Sequence, residues 1–433
     1  MKIAVAGTGY VGLVTGVCLA YMGHVVTCVD TDERKIALLQ AGKPLIHEEG
    51  LEQLMLQTRE RLSFTPDFAS AYQDAEVIFI AVGTPDKKDG SANLIYVYNA
   101  ARQIAANIKN DCLVVVKSTV PIGTGEIIEA RLKAGLPCRV RVEVASNPEF
   151  LSQGTAVRET LHPSRIVLGV ESERAEKLLR KVYAGFDGPI LVTSRHSAEM
   201  IKYASNNFLA LKISYVNEIA NLCEVTGADI SEVTEGMGLD PRIGSHFLRA
   251  GVGYGGSCFP KDTKALHWLS SMYKHELKTV RAAIDVNEKQ KTVLIRKAHK
   301  YYPNLAGINV AVLGLTFKPG TDDLREAPSL ACIPMLLTEG AYIRAWDPVG
   351  RANFSKLYPQ GITYCENIGE TLDMADICFI FTEWPEIKQL DLDEFTRRMK
   401  KPVVLDGRNC FRLSNVRGKG ILYESIGRAI VHG

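Results

Sequence analysis

A chain of 433 residues, 46% hydrophobic and 23% charged, has ordinary globular composition with room for two or three domains, which excludes a disordered chain or a small disulfide scaffold. Its formal charge of +2 gives no reason to expect nucleic acid or an anionic membrane as partner, so an anionic ligand must be held by local groups. The ten cysteines are scattered singly, with no CxxC pair and no histidine at metal-ligand spacing, and they predict a reducing, cytoplasmic compartment and no bound metal.

Residues 1–20 carry a lysine ahead of an apolar run, the outline of a signal peptide, but glycines at 7, 9, 12 and 16 assign the segment to a strand and a turn instead. No later segment supplies the roughly 20 apolar residues of a membrane span. Ile3–Ala6, Val25–Val29, Val77–Val82, Leu113–Lys117 and Val142–Ala145 read as buried strands with helices between, the pattern of a parallel, doubly wound sheet. Arg165–Gly169 and a helix from about Ser172 to Tyr183 carry it towards residue 190. Long helical stretches follow, Ala198 to Val225 and Asp262 to Tyr301, with a glycine-rich connection from Gly236 to Gly256. Alternation resumes with Ile308–Leu315, Tyr342–Trp346, Ile377–Phe381 and Val403–Leu405. The expected fold is α/β, with two Rossmann-like doubly wound domains, 1–190 and 304–433, joined by a helical central domain, 191–303.

Gly7-Thr-Gly9-Tyr-Val-Gly12 follows a strand and opens a helix, and the second strand ends in Asp30, 18 residues beyond Gly12. The glycines let backbone N–H groups approach a pyrophosphate at a helix N-terminus, and an acid at that strand end accepts ribose hydroxyls and repels a 2′-phosphate. The pattern predicts NAD as cofactor. Thr84 and Thr119 follow strands at the same carboxyl edge, where each suits either a ligand contact or a helix cap.

Gly255-Gly-Ser-Cys258-Phe-Pro-Lys-Asp262 is the most informative stretch. Pro260 suits the first turn of a helix, so Cys258 is expected near the N-cap, where the dipole and Lys261 favour a thiolate. Cys18, Cys28, Cys112, Cys223, Cys332 and Cys378 lie in apolar patterns and read as small core residues. Asp262 stands four residues beyond Cys258. Lys202 and Asn206 form another pair at i, i+4; alone, they fit a solvated lysine beside a capping asparagine. Together these residue types suggest two successive oxidations of an alcohol. A thiolate adds to the intermediate aldehyde, and the thiohemiacetal oxyanion expels a second hydride to leave a thioester that water cleaves. Cys258 is the candidate nucleophile, with Lys202 and Asn206 for oxyanions, Asp262 for proton transfer and Glu149 as base for the hydrolytic water.

With Val82-Gly-Thr-Pro85, Lys117-Ser-Thr-Val-Pro121, Asn147-Pro-Glu-Phe-Leu151 and Asp406-Gly-Arg408 added, the chain resembles the UDP-glucose 6-dehydrogenases over essentially its whole length. The resemblance implies conversion of UDP-glucose, two NAD and water to UDP-glucuronate, with residues 304–433 binding the UDP-sugar. It implies Cys258 as nucleophile, assisted by Thr119, Glu149, Lys202, Asn206 and Asp262. It further implies cofactor contacts from Val11, Asp30, Lys35, Thr84, Thr119, Lys261 and Arg325. Substrate contacts are implied for Glu149, Phe150, Leu151, Lys202, Asn206, the loop from Phe247, Leu248 and Arg249 to Gly253, Tyr254 and Gly255, and for Lys318 and Arg408. Read without the resemblance, Lys318 and Arg325 are exposed charges in a loop. Arg242 matches a position that reaches the substrate across a subunit boundary, which implies a homodimer or higher homo-oligomer with a shared site.

Gln153 stands where the family commonly has glutamate, Asn93 where aspartate is frequent and Glu49 where proline is frequent. Other substrates compatible with the same chemistry are GDP-mannose, UDP-N-acetylmannosamine and UDP-galactose. A two-electron hydroxyacid dehydrogenase would need no Cys258, and a non-catalytic NAD sensor would need none of the proposed catalytic residues.

Overall fold

Short runs of β-branched and small apolar residues make the strands of two sheets in this computed structural model, which describes residues 1–136 and 140–433. The first sheet contains β1 (Lys2–Ala6), β2 (Val25–Val29), β3 (Leu62–Thr65), β4 (Val77–Ile80), β5 (Cys112–Val116), β6 (Val142–Ser146), β7 (Ile166–Gly169) and β8 (Ile190–Thr193). Their order is β3-β2-β1-β4-β5-β6-β7-β8, and all neighbours run parallel save β6 and β7, which meet antiparallel at Ser146 and Gly169. The strand order reverses between β1 and β4. The loops leaving the carboxyl ends of these two strands, at Gly7 and at Val82, therefore flank the crevice where such sheets bind ligands.

The second sheet contains β9 (Asn309–Leu313), β10 (Tyr342–Trp346), β11 (Ile362–Tyr364), β12 (Ile377–Ile380), β13 (Val403–Asp406) and β14 (Leu422–Ser425), all parallel, in the order β11-β10-β9-β12-β13-β14. The central strands β4, β5, β12 and β13 are buried at every residue, as helices on both faces require.

The chain divides into two compact units, residues 1–205 with 271–273 and residues 206–270 with 274–433. The first has an apolar core on each face of its sheet. In the second, one apolar cluster takes Val216 and Ala220 from the helix Arg195–Thr226, Leu294 and Ala298 from Val293–Ala298, and Val310, Phe379 and Leu405 from the sheet. Among the described residues, the helical part of this unit shares its core with the second sheet.

The expected helix from Asp262 to Tyr301 is three helices, Phe259–Met272, Lys278–Gln290 and Val293–Ala298. The first break contains Lys274 at φ 52°, a left-handed conformation that cannot continue a right-handed helix. Among the described residues, no helix is long and apolar enough to cross a membrane.

Candidate functional site

The glycine turn and its acid. β1 ends at Ala6 and the helix Tyr10–Tyr21 begins at Gly9, an N-cap without a side chain to satisfy the first N–H groups. A Cβ on Gly12 would lie 2.0 Å from the Gly7 carbonyl oxygen, whereas one on Gly9 would meet nothing within 4 Å. Gly12 therefore permits tight packing of the helix start, and Gly9 leaves its backbone open to a ligand. Positive helix-end charge and bare N–H groups suit a pyrophosphate. Asp30, just past β2, accepts from Thr8 N at 2.8 Å, Thr8 Oγ1 at 2.7 Å and Asp32 N at 3.1 Å. Burial pushes its carboxyl up, but these donors and the charge of Lys35 outweigh it and hold the group below its ordinary range. The fixed anion suits ribose hydroxyls, so the turn and Asp30 together fit NAD. Val11 lies in the first turn of that helix, and Lys35 in the first turn of Glu33–Gln40. The Thr84 hydroxyl donates to the Thr119 carbonyl at 2.8 Å, so these two buried threonines tie together the loops after β4 and β5.

A buried ion pair lies in the same unit. Lys202 Nζ donates to Glu149 Oε1 at 3.0 Å, and both side chains are buried. Glu149 Oε2 also accepts the Leu151 N–H at 2.6 Å. Burial pushes the Glu149 carboxyl up, but Lys202, this N–H and Lys117 together hold it below its ordinary range. Phe150 carries Arg165 over its ring at 3.8 Å. Glu199, one turn before Lys202, accepts from Gly123 N at 2.7 Å, Gly125 N at 2.9 Å and Ser146 Oγ at 3.0 Å. Thr119, Lys202 and Glu199 line one small cavity. Sequence reasoning missed Glu199; the signal was its i, i+3 spacing from Lys202 on one helix face.

The cysteine segment belongs to the second unit. The Cys258 carbonyl accepts the Asp262 N–H at 2.9 Å, the first bond of the helix Phe259–Met272, so Cys258 is its N-cap residue and Pro260 lies in its first turn. Cys258 is half-buried, whereas burial pushes the thiols of Cys18, Cys28, Cys112 and Cys332 up to about 12. The Asp262 carboxylate is buried and accepts from Asn206 Nδ2 at 2.6 Å and from the Lys261 ammonium. Lys202 and Asn206 lie one turn apart on the helix Arg195–Thr226, which runs from one unit into the other.

The loop ahead of Cys258 is held by side-chain amides. Asn287 accepts the Tyr254 N–H at 2.8 Å and donates to its carbonyl at 3.0 Å. Asn217 accepts the Gly251 N–H at 2.8 Å, and Gln290 donates to the Gly251 carbonyl at 2.8 Å. Arg408 donates to the carbonyls of Phe381 at 2.8 Å, Phe317 at 3.0 Å and Gly253 at 3.2 Å, so its guanidinium braces three backbone segments. Gly256 N–H donates to the Arg325 carbonyl at 2.7 Å, and the Arg325 side chain grips both oxygens of Asp323. Lys318 stands over the Phe317 ring, Leu248 and Gly255 are buried, and Phe247, Arg249 and Arg242 are exposed, the last paired with Asp240. Asn217, Asn287 and Gln290 escaped sequence reading; their trace was an amide on an otherwise packed helix face. Among the described residues, no group of three His, Cys, Asp or Glu side chains could hold a metal ion.

Models of the UDP-glucose/GDP-mannose dehydrogenase family match the chain three times: its NAD binding domain over residues 1–187, its central domain over 196–289 and its UDP binding domain over 311–413. UDP-glucose 6-dehydrogenase YwqF of Bacillus subtilis is 46% identical over 433 residues, which cover 100% of this chain and 98% of that protein. The solved UDP-glucose dehydrogenase of the archaeon Pyrobaculum islandicum is 40% identical with a TM-score of 0.92, covering 99% of this chain and 98% of its own. A UDP-D-ManNAc dehydrogenase structure from Pyrococcus horikoshii is 29% identical with a TM-score of 0.88, over 99% of both chains.

Proposed function

The chain belongs to the UDP-glucose/GDP-mannose dehydrogenase family, and from that premise we propose that it oxidises UDP-glucose to UDP-glucuronate in an NAD-dependent four-electron reaction. The observation that carries the reading is Cys258 at a helix N-cap, in a chain 46% identical to a UDP-glucose 6-dehydrogenase along its whole length. The lower identity, 29%, to a dehydrogenase named for the acetylated mannosamine sugar favours glucose over that alternative.

The turn of Gly7, Gly9 and Gly12 and the Asp30 carboxylate would hold NAD, which would supply the oxidising power, one NAD molecule for each of the two oxidations. The protein's own groups do the rest. An aldehyde has no alkoxide to push out a second hydride, and the Cys258 thiolate restores one by adding to the carbonyl. Lys202 and Asn206 are read as donors to the developing oxyanions, and Asp262 and Glu149 as the groups that move protons, with Thr119 assisting. Loss of the second hydride leaves a thioester on Cys258, which water cleaves to the carboxylate and a regenerated thiol. Lys261 and Arg325 are assigned to the cofactor. Phe150, Leu151, the loop 247–255, Lys318 and Arg408 are assigned to the sugar nucleotide, Arg408 through the backbone it braces. A mechanism that depends on a reduced thiol is consistent with a cytoplasmic enzyme. A homodimer is proposed as the working form, with Arg242 serving the partner's site.

Limiting UDP-glucose with excess NAD tests the reading. Two NADH per sugar nucleotide is the expected result. None with UDP-glucose, but two with another nucleotide sugar, would reassign the substrate and keep the chemistry.

A further inference from the structure

β5 and β6 pair in parallel with Val116 opposite Ser146, so Lys117 and Asn147 leave the sheet side by side and Glu149 follows two residues later. Lys117 Nζ donates to Asn147 Oδ1 at 3.0 Å and lies 3.5 Å from the Tyr183 hydroxyl. The same hydroxyl donates to Asn147 Oδ1, and Asn147 Nδ2 donates to the Val167 carbonyl at 2.9 Å. The lysine therefore sits in a fixed network whose hydrogen-bonding partners, an amide and a phenol, are neutral. Burial pushes its ammonium down to about 8, with Glu149 pulling it up and Lys202 pushing it down.

The proposed reaction makes two demands on Lys202. It holds the Glu149 carboxylate at 3.0 Å, and it is to donate to an oxyanion on the substrate. One ammonium shared between two anions serves each less well, and a buried carboxyl that loses its cation drifts towards the neutral acid. We propose that Lys117 is a positioning residue for Glu149: a second ammonium behind the ion pair that keeps Glu149 ionised while Lys202 turns its donors to the substrate, and that fixes the Asn147-Pro-Glu149 turn. The proposal rests on the roles given above to Glu149 and Lys202. Among the described residues, charged and titratable groups approach the pair from several elements. Lys202 and Glu199 lie on the helix Arg195–Thr226, Lys117 at the end of β5, Tyr183 at the end of the helix Glu173–Val182, and Arg165 over Phe150.

The test reads Glu149 directly. In protein labelled with carbon-13 at the glutamate carboxyls, the Glu149 resonance is assigned by its loss in Glu149→Gln and then titrated. Lys117→Gln keeps an amide donor for Asn147 Oδ1 and loses only the charge; it is expected to raise the Glu149 midpoint by about one pH unit, roughly tenfold in proton affinity. Lys117→Met carries the same expectation should the glutamine variant fail to fold, and Lys117→Arg leaves the midpoint in place. An unmoved midpoint in a folded, uncharged variant overturns the proposal, because a purely structural lysine would lower stability without moving it. The acid limb of kcat/KM for UDP-glucose should shift by the same amount. If the resonance moves and the limb does not, Lys117 still governs Glu149, and it is the base role of Glu149 that falls.

Discussion

Cys258 differs from the buried cysteines in position rather than in kind. It stands at the N-cap of the helix Phe259–Met272, the positive end of that helix's dipole, and it is half-buried where the others are sealed in apolar packing. The expected consequence is a separation of binding from chemistry. Cys258→Ser should bind NAD and UDP-glucose with near-normal affinity, because neither the glycine turn nor the Gly251–Gly256 loop depends on the sulfur. It should lose turnover by on the order of a thousandfold or more, since a neutral hydroxyl without the thiol's acidity is a poor nucleophile. Calorimetric binding measured beside steady-state NADH production checks both halves, and normal turnover in that variant would sink the thioester route. This residue was legible in sequence because helix start, proline and cysteine are contiguous. Lys117 was legible only as part of a motif. Its partners Asn147 and Tyr183 are 30 and 66 residues away, and only pairing of β5 with β6 brings the first of them alongside.

Elements that position the loop before Cys258 show where local signals end. The Lys278–Gln290 helix presents Asn287 and Gln290 to a loop more than 30 residues earlier, and the four hydrogen bonds from Asn217, Asn287 and Gln290 hold the backbone of Gly251 and Tyr254. Asn287→Ala removes both bonds to Tyr254 and leaves a buried N–H and carbonyl, at a cost of about 1–3 kcal/mol for an unsatisfied buried group. The expected result is faster amide exchange confined to residues 251–256, together with a raised KM for UDP-glucose and unchanged NAD affinity. Exchange spread evenly over the second unit would instead mean that Asn287 is only general packing. The strands tell a parallel story. Those not expected from sequence are β3, β8, β11 and β14, and each is the edge of its sheet. An edge strand has one neighbour and more solvent, so β3, β8 and β11 are half-exposed; β3 and β11 lack the continuous apolar run of the interior strands, whereas β8 carries one in Ile190-Leu-Val192 that sequence reading passed over. β14 is buried but opens Leu-Tyr-Glu-Ser, where Glu424 is held by Lys297 and Lys300, a pairing invisible along the chain.

At the scale of the whole molecule, the two α/β ends and the helical middle were readable from the alternation of strand and helix patterns, but the sharing of a core between the middle and the second sheet was not, since it depends on contacts between segments far apart in sequence. What that shared core leaves outside bears on assembly. Along the helix Arg195–Thr226, Phe208, Tyr215 and Leu222 are 62%, 50% and 56% exposed, and Val225 is 83% exposed. The first three recur every seven residues, close to two helical turns, and so form one apolar stripe, while Val216 and Ala220 on another face enter the core. A second copy docked on this stripe would bury it twice over in an isologous contact. At about 1.5–3 kcal/mol per apolar side chain, several such residues from each copy are enough to offset an association cost on the order of 4–15 kcal/mol. Light scattering should accordingly give twice the chain mass of 47.6 kDa for the parent protein and the single mass for the double variant Tyr215→Glu with Leu222→Glu. NAD binding should survive in that variant, because the glycine turn and Asp30 lie in the first unit, remote in sequence from the stripe. Turnover should fall with the loss of the partner, and Arg242→Ala should reproduce that fall while leaving the mass doubled. A parent protein that scatters as a single chain at every concentration would remove the dimer, and with it the role given to Arg242 across the boundary.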